Sequence, residues 1–378
     1  MLRAAPVFLT IAFVLHVPQA QADPIAGRQP QAVEDRMVPD PPGMNVAVWA
    51  SGLEIPWSIV FLPDGQALVS ERRGRILLLD RNGKPRPEPY ATPSVVARGE
   101  GGLMGLALDP RFPERPYLYA MMTRRENGKT ATAVVRFKQD GTRGVVDRTI
   151  LDGIPAGTFH NGGRIAFGPD GLLYVGTGET GHPELAQDKT SLAGKILRIT
   201  PDGTVPSDNP FPGSPVFTLG HRNVQGLAWR LGTRDLYASE HGPSGEFGLH
   251  ARDEINRIVA GRNYGWPTAT CAVGKEGLAD PLVCWPKQAV APSGATFFDG
   301  DLFVATLRGE ALIRVKIGTG DRIEAIERWF ASGEANGRYG RLRDVAVGPD
   351  KALYVLTNDG CGGQGPNGGD CILRLTAR

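Results

Sequence analysis

IAFGPDGLLYVGT, residues Ile165 to Thr177, consists of two short β-rich runs joined by Pro169-Asp170-Gly171. Proline presets a turn φ, aspartate bonds the backbone that follows it, and glycine takes the left-handed position, so the stretch predicts a tight β-hairpin. The pattern returns along the whole chain as Ile59 to Glu71 (IVFLPDGQALVSE), Leu106 to Ala120 (LALDPRFPERPYLYA), Leu227 to Ser239 (LAWRLGTRDLYAS), Ala295 to Thr306 (ATFFDGDLFVAT) and Val345 to Thr357 (VAVGPDKALYVLT). Successive copies begin 47 to 68 residues apart. That spacing exceeds one hairpin and suits a four-stranded unit with variable loops, the blade of a β-propeller. The expected fold is therefore all-β: a six-bladed β-propeller of four-stranded antiparallel blades over residues 41–378. An irregular β-sandwich with chance Asp-Gly turns is the rival, but it has no reason to repeat one hairpin six times.

At roughly 150 residues per domain, 378 residues would allow two or three domains, and the repeat removes the need for a second. The 50 glycines and 31 prolines supply the turns that such a fold demands. With 42 basic and 40 acidic side chains the net charge is only +2, which leaves no broad basic footprint for a nucleic-acid backbone.

Arg3, the apolar run Val7 to Val17 and Ala20-Gln21-Ala22 fit the three regions of a secretory signal, with cleavage expected after Ala22. The run is shorter than the roughly twenty residues of a membrane span, and no later stretch qualifies. Residues 23–40, rich in Pro, Gln and charge, are expected to be a tether. A periplasmic or secreted location favours disulfides, and the spacing pairs Cys271 with Cys284 and Cys361 with Cys371. A zinc site is the alternative, yet no CxxC or paired histidine accompanies them.

Residues just before the first strand and just after the second strand of each hairpin must share the face opposite the turns. Collected copy by copy they are Trp57 and Arg72; Glu100; His160 and Glu179; Arg222, Asn223, Gln225 and His241; Arg308; Arg341 and Arg343. Five arginines around one channel mouth would repel one another unless an anion lay between them. Guanidinium forks suit carboxylate or phosphate, and no phosphate-binding glycine loop is present, so a small multiply carboxylated ligand is indicated. His160 is a candidate general base, and carbonyls of the Glu240-His241-Gly242-Pro243 loop are candidate Ca²⁺ ligands.

The stretches His160-Asn161-Gly162-Gly163-Arg164-Ile165, Leu219-Gly220-His221-Arg222-Asn223-Val224-Gln225-Gly226-Leu227, Ser239-Glu240-His241-Gly242-Pro243, Asp253-Glu254-Ile255-Asn256, Asn263-Tyr264-Gly265-Trp266-Pro267, Cys284-Trp285-Pro286 and Arg341-Leu342-Arg343-Asp344-Val345 carry a resemblance. Through them the chain resembles the soluble aldose sugar dehydrogenases that use pyrroloquinoline quinone (PQQ), relatives of soluble quinoprotein glucose dehydrogenase. The resemblance implies an aldose sugar dehydrogenase that yields a lactone, with His160 taking the anomeric hydroxyl proton while hydride passes to the quinone. It places Arg222 at the reacting centre, with Asn223 beside it at the quinone oxygens. Gln225, His241, Arg308, Arg341 and Arg343 fall at cofactor-contacting positions, and Glu100 and Trp285 at the substrate pocket. Carbonyls of Gly242 and Pro243 match the loop of a cofactor-binding calcium, and Glu254 with the Tyr264 backbone matches a second calcium position. Compared with the glucose-oxidising branch, Phe159, Glu100, His241, Arg308 and Leu282 depart from its pattern, which implies a broad aldose range. The electron acceptor is not identified, and the shorter loops favour a monomer over a dimer. A calcium-dependent propeller lactonase and a non-catalytic binding propeller are the alternatives; the first would prefer acidic and amide ligands on the axis, the second would lose His160 or the arginines.

Overall fold

Asp64, Asp170 and Asp350 each accept a hydrogen bond from the backbone N–H two residues on (3.0, 3.1 and 3.2 Å), so the turn aspartates close their hairpins with their own side chains. The residue between, Gly65, Gly171 or Lys351, has φ of 87°, 75° or 60° and adopts the left-handed conformation that lets two strands run back on each other. The computed structural model describes residues 24–126, 128–363 and 369–378. The expected secretory signal, residues 1–22, lies outside the described residues.

All six hairpins form, and each supplies the first two strands of one antiparallel sheet. In chain order the sheets are Pro56–Phe61, Ala67–Glu71 and Arg75–Leu79; Leu103–Leu108, Tyr117–Glu126, Lys129–Asp140 and Arg143–Pro155; Ile165–Phe167, Leu173–Gly176, Lys195–Ile199 and Val216–Leu219; Val224–Trp229, Leu236–Glu240, Asp253–Ile258 and Val283–Trp285; Pro292–Phe298, Asp301–Thr306, Leu312–Ile317 and Ile323–Trp329; and Leu342–Val347, Leu353–Thr357 and Asp370–Ala377, completed by Met44–Leu53. The first strands of neighbouring sheets pack against one another around a central axis, giving the expected six-bladed propeller. Pairing of Met44–Leu53 with Asp370–Ala377 ties the two ends of the propeller into one blade. Apolar faces of adjacent blades form the core between them; Tyr237, Ile255 and Val283 of one blade, for example, meet Val304, Ile313 and Ile326 of the next.

Two blades depart from four strands. The first has three, because the chain after Leu79 carries Pro85, Pro87 and Pro89, which cannot donate to a ladder; only isolated bridges at Leu79–Pro85 and Ile76–Ala91 remain. The fifth gains an outer parallel strand, Asp35–Val38, from the segment expected to be a tether. That expectation is corrected by side-chain pairing: Asp35 receives Arg328 at 2.5 and 2.8 Å and the Trp285 indole at 2.9 Å. Gln29 and Gln31 accept the backbone N–H groups of Cys284 (2.6 Å) and Ile323 (2.8 Å). The polar residues that look solvated in the sequence are partners of the outer strand edges. Both expected disulfides, Cys271–Cys284 and Cys361–Cys371, are formed.

Halfway along the axis a layer of side chains separates the two ends. Arg164 donates to Asp344 at 3.0 Å and to the Gln225 carbonyl at 2.9 Å, with its guanidinium 4.5 Å from the Trp57 ring. Gly163 is required there, since a Cβ on it would fall 2.7 Å from the Trp57 ring.

Candidate active site

On one side of that layer lies a cavity of about 780 Å³. Trp57, Arg72, Glu100, Gln225, His241, Arg308, Arg341 and Arg343 line it, so residues from distant copies of the hairpin do converge as their positions require. Arg343 is half-buried and donates to Gln225 (2.7 Å) and Asn358 (3.0 Å), and its Nε has no partner. Burial, with the charges of Arg341 and Arg164, pushes the Arg343 guanidinium down to about 9, although Glu100 acts the other way. The side chains of Arg308 and Arg341 make no hydrogen bond or ion pair among the described residues. His241 is held neutral, well below the usual imidazole range, by burial and by the charges of Arg222 and Arg343; its Nε2 is buried without a partner. An uncompensated cluster of donors of this kind suits a polyanionic, oxygen-rich ligand.

His160, Glu179, Arg222 and Asn223 do not line that cavity themselves; His160 adjoins it through the lining residue Glu100, on a left-handed backbone, φ 55°, a conformation that a non-glycine residue holds only when its surroundings fix it. The Glu100 carboxylate accepts the His160 N–H at 2.8 Å and also the Asn223 amide at 3.3 Å. Asn223 in turn accepts the N–H of Gly162 at 2.9 Å. Arg222 Nη2 lies 2.9 Å from His160 Nε2, and its Nη1 donates to the His241 carbonyl at 3.2 Å. A guanidinium can only donate, so His160 Nε2 must be the acceptor and carry the lone pair. The ring proton then belongs on Nδ1, which hydrogen-bonds the fully buried carboxylate of Glu179. This assigns the tautomer from the partners: Glu179 holds the proton on one nitrogen, and the unprotonated other nitrogen accepts from Arg222.

Two functional side chains carried no assigned role in the sequence reading. Glu179 lies on the predicted face, but only tertiary folding brings it to the imidazole. Glu246 comes from the loop after Pro243 and pairs with Arg222 Nη2 at 2.5 Å, 3.9 Å from His160 Nε2. Nothing in its sequence context announces this, because an acidic residue in a glycine-rich loop looks solvated. His160, Glu179 and Glu246 are the one group of three candidate metal-ligating side chains among the described residues, but the Arg222 guanidinium occupies the space a cation would need.

Gly242 and Pro243 follow His241 directly, and their carbonyls accept no hydrogen bond among the described residues. The loop is held by Asp253, which accepts the N–H groups of Gly242 (2.8 Å), Val290 (2.6 Å) and Ala291 (2.9 Å). Two free carbonyls in a fixed turn are donors a hard cation accepts. Glu254 and Tyr264 lie outside the cavity, one strand out. Burial and neighbouring Glu240 push the Glu254 carboxyl up to about 8, and the Asn256 oxygen beside it has no partner, a setting that a divalent cation would relieve.

Trp285 is not in the cavity, and its expected place in the substrate pocket is corrected. It lies on the outermost strand of its blade, buried in the core between blades with its indole bonded to Asp35. Leu282 joins the same core. The tryptophans near the centre are Trp57, which lines the cavity, and Trp266, 5.5 Å from the Arg222 guanidinium.

Residues 53–366 match the glucose/sorbosone dehydrogenase family. The chain belongs to that family. It is 32% identical over 354 residues to the aldose sugar dehydrogenase YliI of Escherichia coli, covering 85% of this chain and 92% of YliI. Over 262 residues it is 33% identical to quinoprotein glucose dehydrogenase B of Acinetobacter calcoaceticus, covering 61% of this chain and 53% of that one. The PQQ-bound structure of aldose sugar dehydrogenase from Streptomyces coelicolor superposes with a TM-score of 0.77 at 40% identity, over 89% of this chain and 100% of that one. The resemblance read from the motifs is therefore borne out at the level of family and fold.

Proposed function

We propose that this protein is a PQQ-dependent dehydrogenase that oxidises the anomeric carbon of aldose sugars to lactones. The observation that carries the reading is a base, His160 Nε2, held by Arg222 and joined through Glu100 to a cavity lined by the unpartnered guanidinium groups of Arg308 and Arg341. The donor set suits a small polycarboxylate: Arg308, Arg341 and Arg343 for its carboxylates, Gln225 and His241 along its edge, Arg222 and Asn223 at its quinone oxygens. Carbonyls of Gly242 and Pro243 would hold a calcium ion beside it, and Glu254 with the Tyr264 carbonyl a second one. When bound, PQQ supplies the two-electron acceptor that takes the anomeric hydride, with calcium acting as a Lewis acid on it.

The residues of the chain do the rest. Arg222 holds the lone pair of His160 Nε2 in this structure, and the anomeric hydroxyl takes the place of that guanidinium N–H before the atom accepts its proton. The carboxylate of Glu179 stabilises the imidazolium that results. Glu100 fixes the strained His160 backbone and, lining the cavity, offers its carboxylate to sugar hydroxyls. An arginine-lined axis argues against the lactonase alternative, which needs acidic and amide ligands there. The two disulfides support export to an oxidising compartment.

Reconstitution of the purified chain with PQQ and Ca²⁺, followed by dye reduction with an aldose panel, tests the reading. Turnover is expected, and His160→Ala is expected to retain bound PQQ while losing oxidation. Absence of turnover with every aldose refutes the proposal.

A further inference from the structure

We propose that Glu246 sets the charge selectivity of this site, keeping carboxylates, including the aldonate formed from the lactone product, off Arg222. The inference rests on the sugar-oxidising reading above and adds a selectivity determinant to the same site.

Glu246 is held in place. Its Oε1 lies 2.5 Å from Arg222 Nη2, and its Oε2 accepts the Ser244 N–H at 2.6 Å. The loop carrying it is closed by a Gly245 N–H to Leu249 carbonyl bond of 2.8 Å, and the Phe247 ring meets Trp266 edge-on at 5.9 Å. Arg222 itself is only 2% exposed, with Nη1 committed to the His241 carbonyl. Its remaining route to a ligand beside His160 runs through Nη2, where the Glu246 carboxylate sits.

The chemistry of the product gives this contact its meaning. An aldose is neutral at C1, and so is its lactone. Water then adds to the lactone carbonyl, the ring C–O bond breaks and a proton is released, so that C1 becomes a carboxylate. C1 is also the carbon that must lie at His160 Nε2, because the base takes the proton of its hydroxyl. An aldonate retained there would present two carboxylate oxygens to Arg222, the geometry that a guanidinium binds best. Glu246 already supplies that carboxylate from within the chain, while Glu179 bonds the same imidazole and Glu100 the His160 backbone N–H. A second anion at C1 therefore meets a neutralised arginine and three carboxylates, whereas a neutral sugar pays no such penalty. An ammonium at C2 is favoured by the same charges.

The test compares gluconate, glucose and glucosamine on the wild type, Glu246→Gln and Glu246→Ala, all loaded with PQQ and Ca²⁺. Binding is read by calorimetry, and gluconate is also titrated as an inhibitor of glucose oxidation. Glutamine keeps an acceptor for the Ser244 N–H, so it tests the charge rather than the loop. In both variants gluconate is expected to tighten relative to glucose by at least fivefold, and glucosamine to weaken relative to glucose. A gluconate-to-glucose ratio that shifts by less than fivefold overturns the proposal. So does movement of gluconate and glucosamine in the same direction, which marks a general loosening of the loop. If the wild type takes up no PQQ and oxidises no aldose, the sugar reading fails; gluconate binding to the unloaded wild type and variants then still decides the charge assignment.

Discussion

Replacing Glu179 by Gln leaves the shape of the site almost unchanged and removes one buried charge. Glu179 is fully buried; one of its oxygens receives the His160 Nδ1 proton and the other has no partner, so the imidazole is its one hydrogen-bonding side chain. An amide oxygen can still accept that proton, and the Nε2 lone pair stays directed at Arg222. What is lost is the attraction between the carboxylate and the imidazolium formed as His160 takes the substrate proton. For charge centres about 4 Å apart at an effective dielectric of about 20, that attraction is roughly 4 kcal/mol, or a factor of about 10³ in rate. Stopped-flow reduction of PQQ-loaded enzyme by excess aldose, followed from about pH 5 to pH 9, reads the step directly. The expected result is a fall in the limiting rate of up to about a thousandfold, with little change in half-saturating sugar. A limiting rate within threefold of the wild type, or a loss confined to sugar affinity, would refute the assignment of Glu179 as the residue that positions and charges the base.

Arg341→Ala and Arg343→Ala should each weaken PQQ retention by roughly tenfold to a hundredfold, the range of a charge-assisted hydrogen bond, measured by equilibrium dialysis; values within threefold of the wild type would remove the arginines from the cofactor site. The Glu246 carboxyl should make stability depend on acid. Burial alone would raise it, but the charge and hydrogen bonds of Arg222, with the Ser244 N–H, hold it below the ordinary 4.5. A carboxyl depressed in the folded state contributes stability above its unfolded value and loses it as the pH falls through its folded one. Urea unfolding should therefore show the wild type about 1 kcal/mol more stable than Glu246→Gln at neutral pH, the two converging near pH 3; a gap that widens toward acid contradicts the ion pair.

What could be read from the sequence was local. The hairpins announce themselves because Pro-Asp-Gly turns and alternating β-formers act within a dozen residues, as Ile165 to Thr177 does. Counting the copies yields the propeller, and the offset of a residue from its turn decides which face it occupies, which is how Arg308 and Arg343 could be placed at one opening. Trp285 could not be placed that way, because it lies on the outermost strand of its blade rather than in the repeated hairpin, and adjacency to Cys284 says nothing about distance from the axis. Three prolines after Leu79 reduced a blade to three strands for a reason visible in the sequence.

The chain itself thus determined its hairpins, their number, the disulfide pairs and the face that gathers the charged residues, since turn chemistry and strand periodicity depend only on near neighbours. Tertiary structure alone decided who bonds whom across that face: Glu179 to His160, Glu246 to Arg222, Asp35 to Arg328 and Trp285. A charged side chain reads as solvated until folding buries it, and the cost of burying it unpaired selects its partner from residues that the sequence holds far apart.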